Sequence, residues 1–307
     1  MAKFLRSVGT SATLGAALLV LSIELIAPRL PPYAGPPDLR ASRSLTLPAS
    51  QTLRLDNSDG AIRIMTTDGV SEIAVDVEIK MYALNDRADL PALERYLDSL
   101  VLAQSEAGGL SIITEPLKRP DSMALQVAYT VHVPRGTNID ITGLNGNIWV
   151  AEGCGEVRVH SGNADIEILQ PRGAVIAQST NGRIRVLDAT KSTTLQTVNG
   201  NILAEVRDGL LEASSINGWI KTHVLDPSVS GCVLNSENGG IEVLLANDVS
   251  FTVDATAQRG SVRTDFAIVG AGVRRTTRTL RGTVGEGETK LNLTTGNGNI
   301  WLLRGRS

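Results

Sequence analysis

The sequence predicts an all-β chain: a single-stack β-solenoid (β-helix-like) of roughly 19-residue coils, preceded by a small strand-rich module with one amphipathic helix. Three observations carry that expectation. An Asn-Gly corner followed by a short alternating apolar run, as in TVNGNILA at 197–204, recurs along the second half of the chain. Apolar and polar residues alternate with period two through 51–83. Aromatic residues make up only 3% of the 307 while Val, Ile, Leu, Thr, Asn and Gly abound, which suits stacked aliphatic rows better than a core of large rings. Apolar residues at 42% are ample for a buried core, and a formal charge of −3 with intermixed signs leaves no basic face for a nucleic-acid backbone.

The elements follow in chain order. Lys3 and Arg6 precede an apolar stretch, Val8 to Ala27, whose one charge is Glu24 and which Pro28 ends. Residues 1–27 therefore read as a signal peptide or signal anchor. The absence of a small-x-small site before PRLPP favours the anchor, with the body held outside the cytoplasm and tethered to the membrane by this segment. Residues 28–50, rich in Pro, Ser and Ala, read as a tether. The module at 51–137 opens with alternating strands around two glycine turns. A helix is expected near 89–101, where Leu90, Leu93, Leu97, Leu100 and Val101 recur at spacings of three and four, Asp89 can cap, and Pro91 fits a first turn. Two more strands, GLSIITEPL and ALQVAYTVHVP, lead to the repeats at 138–307.

The corner glycines are Gly146, Gly162, Gly182, Gly200, Gly218, Gly239, Gly260, a weak copy at Gly282, and Gly298. Two residues later stand Ile148, Ile184, Ile202, Ile220, Ile241, Val262, Val284 and Ile300, a column expected to face inward. Glycine admits positive φ at a sharp corner, and Asn tolerates the left-handed region better than other residues with a side chain. Asn145, Asn181, Asn199, Asn217, Asn238 and Asn297 share one column, so their amides could form a ladder from coil to coil. A meander of Asn-Gly hairpins is the structural alternative, but hairpins need no matching columns. The copy at Ser161-Gly162 has its Ile166 and Ile168 displaced by two, so a bulge or looser corner is expected there.

These pieces resemble a family, the bacterial putative adhesins, which are extracytoplasmic β-strand-repeat domains. LDNSDGAIRI, VHVPRGTNIDITGLNGNIWV, the serial NG-x-I units and GTVGEGETKLNLTTGNGNIWLL carry the resemblance over roughly Leu53 to Leu302. It implies a β-solenoid on an exported protein without assigned catalysis, and it carries over no binding residues.

Chemistry is sparse in the sequence. His132, His160 and His223 occupy different positions relative to their corners, which suggests neither a metal site nor a triad. Cys154 and Cys232 are out of column, so two buried free thiols are expected. No cofactor is implied. GAGVRRTTRTLRG lacks the Gly-Lys-Ser/Thr of a phosphate loop and reads as a solvated basic turn. The outward column, three after the glycine, reads Trp149, Asp165, Arg185, Leu203, Lys221, Glu242, Arg263, Gly285 and Trp301, in which acid and base alternate rather than cluster. Trp149 and Trp301 are expected to cap the first and last coils, and Trp219 is the candidate surface-binding aromatic. Together these features predict a non-enzymatic cell-envelope adhesin or scaffold with a glycan, a protein or a second copy as partner. The alternatives are a membrane-tethered sensory or regulatory protein and a carbohydrate-active β-helix enzyme.

Overall fold

The structure, a computed structural model, describes residues 20–24, 39–83, 101–106, 109–114 and 123–305. They are all-β: no helix occurs among them, and hence none long and apolar enough to cross a membrane. Most of the helix expected near 89–101 lies outside the described residues; its last residue, Val101, opens the strand Val101–Glu106. Of the segment read as signal or anchor, only Val20–Glu24 is described. It is a strand paired antiparallel with Leu39–Pro48.

The chain divides into two compact units, 1–147 and 148–307. In the first, the strands Val20–Glu24, Leu39–Pro48, Glu72–Ala83, Met123–Pro134 and Ile62–Thr67 lie side by side in that order. Asn138–Asn145, Thr52–Asp59, Gly109–Thr114 and Val101–Glu106 line up in a second set. The strand Leu39–Pro48 corrects the tether reading, which ran to residue 50. Its alternation buries Leu45 and Leu47, and it pairs with Glu72–Ala83 from Leu39 opposite Met81 to Pro48 opposite Glu72. Residues 138–145, read as opening the repeats, belong to this unit, where Asn138–Asn145 pairs in parallel with Thr52–Asp59.

In the second unit successive strands from Ile148–Val150 to Ile241–Leu245 alternate between two sheets, and each pairs in parallel with the strand one repeat away. Ile148, Ile166, Ile184, Ile202, Ile220 and Ile241 stand in register and are buried. The opposite sheet supplies Val157, Val175, Thr193, Leu211 and Cys232 in the same manner. Every second residue points between the sheets, so the aliphatic rows of the sequence become one continuous core.

Three expectations about the repeats are overturned. The second corner is Asn163-Ala164, not Ser161-Gly162: Ile166 sits directly opposite Ile148 and Ile184, with no displacement. The repeats are not stacked in sequence order either. Thr289–Thr295 and Ile300–Arg304 are inserted between the repeat at 229–245 and the one at 251–264, so Ile241 and Val262 both pair with Ile300. The reason lies in the corner columns. The 289–304 segment carries the full set, Thr295, Asn297 and Gly298, whereas Ala257 and Arg259 stand in those places at 251–264. The segment with complete corners occupies the interior, and the atypical one lies beyond it, as expected of a terminal repeat. Finally, Gly282 is not a corner. Thr279–Val284 pairs antiparallel with Phe251–Ala257 and forms a hairpin with Val269–Arg275. Phe266 packs edge-on against Phe251 with ring centroids 5.0 Å apart, and the Arg304 guanidinium lies 4.6 Å over the Phe266 ring.

Candidate functional site

The corner edge of the second unit carries a row of bonded amides. Each corner Asn donates through Nδ2 to the Oδ1 of its neighbour: Asn181 to Asn163 at 2.7 Å, Asn199 to Asn181 at 2.7 Å, and Asn217 to Asn199 at 2.8 Å. Asn238 donates to Asn217 at 3.0 Å and Asn297 to Asn238 at 2.7 Å. Arg259, in the Asn place of the terminal repeat, donates to Asn297 at 3.4 Å. The predicted Asn181, Asn199, Asn217, Asn238 and Asn297 are thus brought into one row, and Asn163 joins them. Asn145 and Gly146 lie in the first unit, where Asn145 donates to Asp59 at 2.6 Å and the Asp59-Gly60 corner is its counterpart.

The glycine column is required by close approach more than by φ. A Cβ on Gly200 would lie 1.9 Å from the Gly182 carbonyl oxygen, yet Gly200 does not have a left-handed φ. Gly182, Gly218, Gly239 and Gly298 meet the preceding corner in the same way. Gly209, outside the corner column, combines both demands: it has φ +83° and would place a Cβ 2.7 Å from the Lys191 carbonyl carbon. A further row went unread in the sequence. Three residues before each corner glycine a hydroxyl points inward and donates to the corner carbonyl of the preceding repeat: Ser179 to Ala164, Thr197 to Gly182, Ser215 to Gly200, Ser236 to Gly218 and Thr295 to Gly239, at 2.7–3.2 Å. The signal was present as Ser or Thr in QSTNG, QTVNG, SSING, NSENG and TTGNG.

Beside the ladder lies a shallow groove of about 650 Å³ lined by Thr197, Ser214, Asn235, Gln258, Thr294 and Asn297 among others. Its walls are amides and hydroxyls, with Ile216 as an exposed apolar side chain and Glu237 and Arg259 as charged ones. Trp219, one residue past the corner, is 42% exposed, and its backbone N–H donates to Asn201 Oδ1 at 3.0 Å. The outward column is Trp149, Glu167, Arg185, Leu203, Lys221, Glu242, Trp301 and Arg263; Asp165 and Gly285 do not belong to it. Trp301 is therefore interior to the stack and does not cap it, and its ring covers Gly240, where an added Cβ would come within 2.8 Å. Acid and base are interspersed in this column, and neighbours of opposite sign pair. Glu167 binds Arg185, and Glu242 binds Lys221 at 2.8 Å. At the far corner Asp188 accepts from Arg207 at 2.8 Å and from Gln170 at 3.1 Å.

Burial holds two groups of the interior, Cys232 and Tyr129, in their protonated forms. Cys154 and Cys232 are buried free thiols, and burial between Leu211 and Leu291 pushes the Cys232 thiol up to about 12. In the first unit burial pushes Tyr129 up to about 12; its hydroxyl shares a 2.6 Å hydrogen bond with Thr114, which donates to Asn57 at 3.1 Å. His160 Nδ1 meets Gln178 at 3.0 Å and His223 Nδ1 meets Glu205 at 3.4 Å, each one repeat away. No group of three metal-ligating side chains occurs among the described residues.

A scan against protein-family models and a search of the curated proteins each found no match. Among solved structures, the chain is similar to one described as a putative adhesin from Bacteroides fragilis, with 15% identity, 86% of this chain and 96% of that chain covered, and a TM-score of 0.48. It is also similar to a putative lipid binding protein and a putative adhesin, both from Parabacteroides distasonis, at 13% and 9% identity. Each alignment covers 87% of this chain and 97% of the other, with TM-scores of 0.43 and 0.41. None of the three reaches the similarity from which a shared function follows.

Proposed function

We propose that this chain is a non-enzymatic cell-envelope protein, an adhesin or scaffold, whose residues 148–304 form a β-solenoid that presents a rigid polar surface. The observation that carries the reading is the unbroken row of corner amides, each bonded to the next from Asn163 to Asn297. In-register side-chain ladders over parallel strands stiffen the edge they occupy, and a stiff, solvated edge is suited to display. A hydrolytic face would need carboxyl groups converging on one bond. Here Glu167, Asp188 and Glu242 each bind a cation in the neighbouring repeat, which favours a structural role for them. Export directed by residues 1–27 belongs to the same proposal, resting on the charge and hydropathy of that segment.

Glycan-array binding and a polysaccharide depolymerisation assay, run on the same preparation, test this reading. Binding that is lost in Trp219→Ala without a change in melting temperature is expected. Release of reducing ends from any polysaccharide would contradict it. A phosphatase fused at Ser307 should report an extracytoplasmic position; a cytoplasmic signal would remove the envelope assignment.

A further inference from the structure

The basic segment set aside in the sequence becomes a defined surface in the fold. Val269–Arg275 and Thr279–Val284 form an antiparallel hairpin at the end of the second unit, with Val269–Arg275 outermost in its sheet. Between Phe266 and Gly285 there are four arginines and neither Asp nor Glu, in a chain of formal charge −3. Arg274 stands directly opposite Arg281, and Arg281 is ion-paired with Asp254 on its other side. Two like charges directly opposite on neighbouring strands repel, and one carboxylate neutralises only one of them. Arg274, Arg275 and Arg278 are exposed, and their guanidinium groups have no carboxylate partner among the described residues. The turn that carries Arg278 is fixed: Thr276 Oγ1 accepts from the backbone N–H groups of Arg278 at 3.2 Å and Thr279 at 2.9 Å. On the same outermost strand Val269 is 57% and Val273 42% exposed.

We infer that this hairpin docks on an anionic phospholipid bilayer surface. Guanidinium groups bond phosphate oxygens in bidentate fashion and lose little hydration in doing so. Exposed aliphatic side chains beside them enter the boundary between headgroups and acyl chains. A soluble acidic ligand would use the arginines and leave the valines in water; a bilayer uses both. The inference stands apart from the adhesin reading, because it concerns the opposite end of the repeat stack from Ile148 and neither the ladder nor Trp219.

The test is flotation of the full chain with vesicles of pure phosphatidylcholine and of phosphatidylcholine with 30% phosphatidylglycerol. The readout is the ratio of anionic to pure phosphatidylcholine binding below saturation, in which any contribution of the N-terminal apolar segment, common to both vesicles, divides out. Binding to the anionic vesicles should fall about fivefold per arginine, hence about 100-fold in Arg274→Gln/Arg275→Gln/Arg278→Gln. Val269→Ser/Val273→Ser should weaken it further, while melting temperature stays the same. Should the triple variant fail to fold, raising salt from 50 to 500 mM on the unaltered chain must produce a comparable loss. Anionic-vesicle binding that is unchanged in the triple variant overturns the inference. So does self-association of that variant without altered vesicle binding, which would make the arginines guards of an open sheet edge. Displacement from vesicles by millimolar inorganic phosphate would equally overturn it, assigning the arginines to a free anion.

Discussion

Replacing Gly200 with Ala adds one methyl group where the structure leaves none room. The new Cβ would lie 1.9 Å from the Gly182 carbonyl oxygen, 2.6 Å from its carbon and 2.9 Å from Thr197 Oγ1. Two of those three atoms are backbone of the adjacent repeat, so relief requires moving the strands apart rather than rotating a side chain. Separation weakens the bonds from Asn199 to Asn181 and from Thr197 to Gly182. Overpacking alone costs about 1–3 kcal/mol, and partial loss of two hydrogen bonds adds about 1–2. The total, about 2–5 kcal/mol, corresponds to a fall of roughly 4–20 °C in melting temperature for a unit of this size. Gly272→Ala is the control. It has φ +78° and no atom within 4 Å of the added Cβ, so only backbone strain of about 1–2 kcal/mol is expected. Thermal unfolding followed by circular dichroism measures both. A Gly200→Ala variant that melts no lower than Gly272→Ala would refute the argument that close approach of neighbouring repeats dictates the glycine column.

Two further outcomes follow from the same edge and core. Ser215→Ala removes the donor to the Gly200 carbonyl and should cost about 1 kcal/mol in urea unfolding, whereas Ser214→Ala, one residue earlier on the groove wall, should change stability by less than about 0.5. Cys232 supplies a pH test. Its thiol stays protonated in the folded chain to about 12 but ionises from about 9 once unfolded, so its contribution is complete below pH 9 and declines as pH rises towards 12. The urea midpoint should therefore fall more steeply between pH 9 and 11 in the unaltered chain than in Cys232→Ala; equal slopes would mean that this thiol is not buried.

Much of the architecture was legible because the corner chemistry repeats. Asn199, Gly200 and Ile202 each answer to a different physical demand, amide bonding, close approach and burial, and their joint recurrence fixes register without reference to any partner strand. The same reliance on Gly misplaced the second corner. Ala164 fills the glycine place there, and the nearer Gly162 was counted instead, although Ile166 already marked the true register. The order of the last repeats was hidden for a different reason. Periodicity says which residues share a column but not which repeat lies next to which. The insertion of 289–304 shows only in the poverty of the 251–264 corner, where Ala257 and Arg259 replace hydroxyl and amide. The hydroxyl row was visible as Ser179, Thr197, Ser215, Ser236 and Thr295, but an inward hydroxyl three residues before a corner has meaning only once the neighbouring carbonyl is in place. For the candidate site, the ladder could be read from the Asn column. The groove could not, since Gln258 and Thr294 reach it only through the inserted strands.

The stacked, partly reordered repeats are the claim on which the rigid-surface reading depends, and a double-mutant cycle addresses them most directly. Ile241 lies opposite Ile300, 59 residues away, and Ile300 separates it from Val262, its successor in the sequence order of the repeats. Each single truncation to Ala at Ile241 and Ile300 should cost about 2–5 kcal/mol. The pair Ile241→Ala with Ile300→Ala should depart from additivity by about 0.5 kcal/mol or more, while Ile241→Ala with Val262→Ala should add within about 0.3–0.5. Coupling of Ile241 to Val262 with none to Ile300 would place the repeats in simple sequence order and contradict the account.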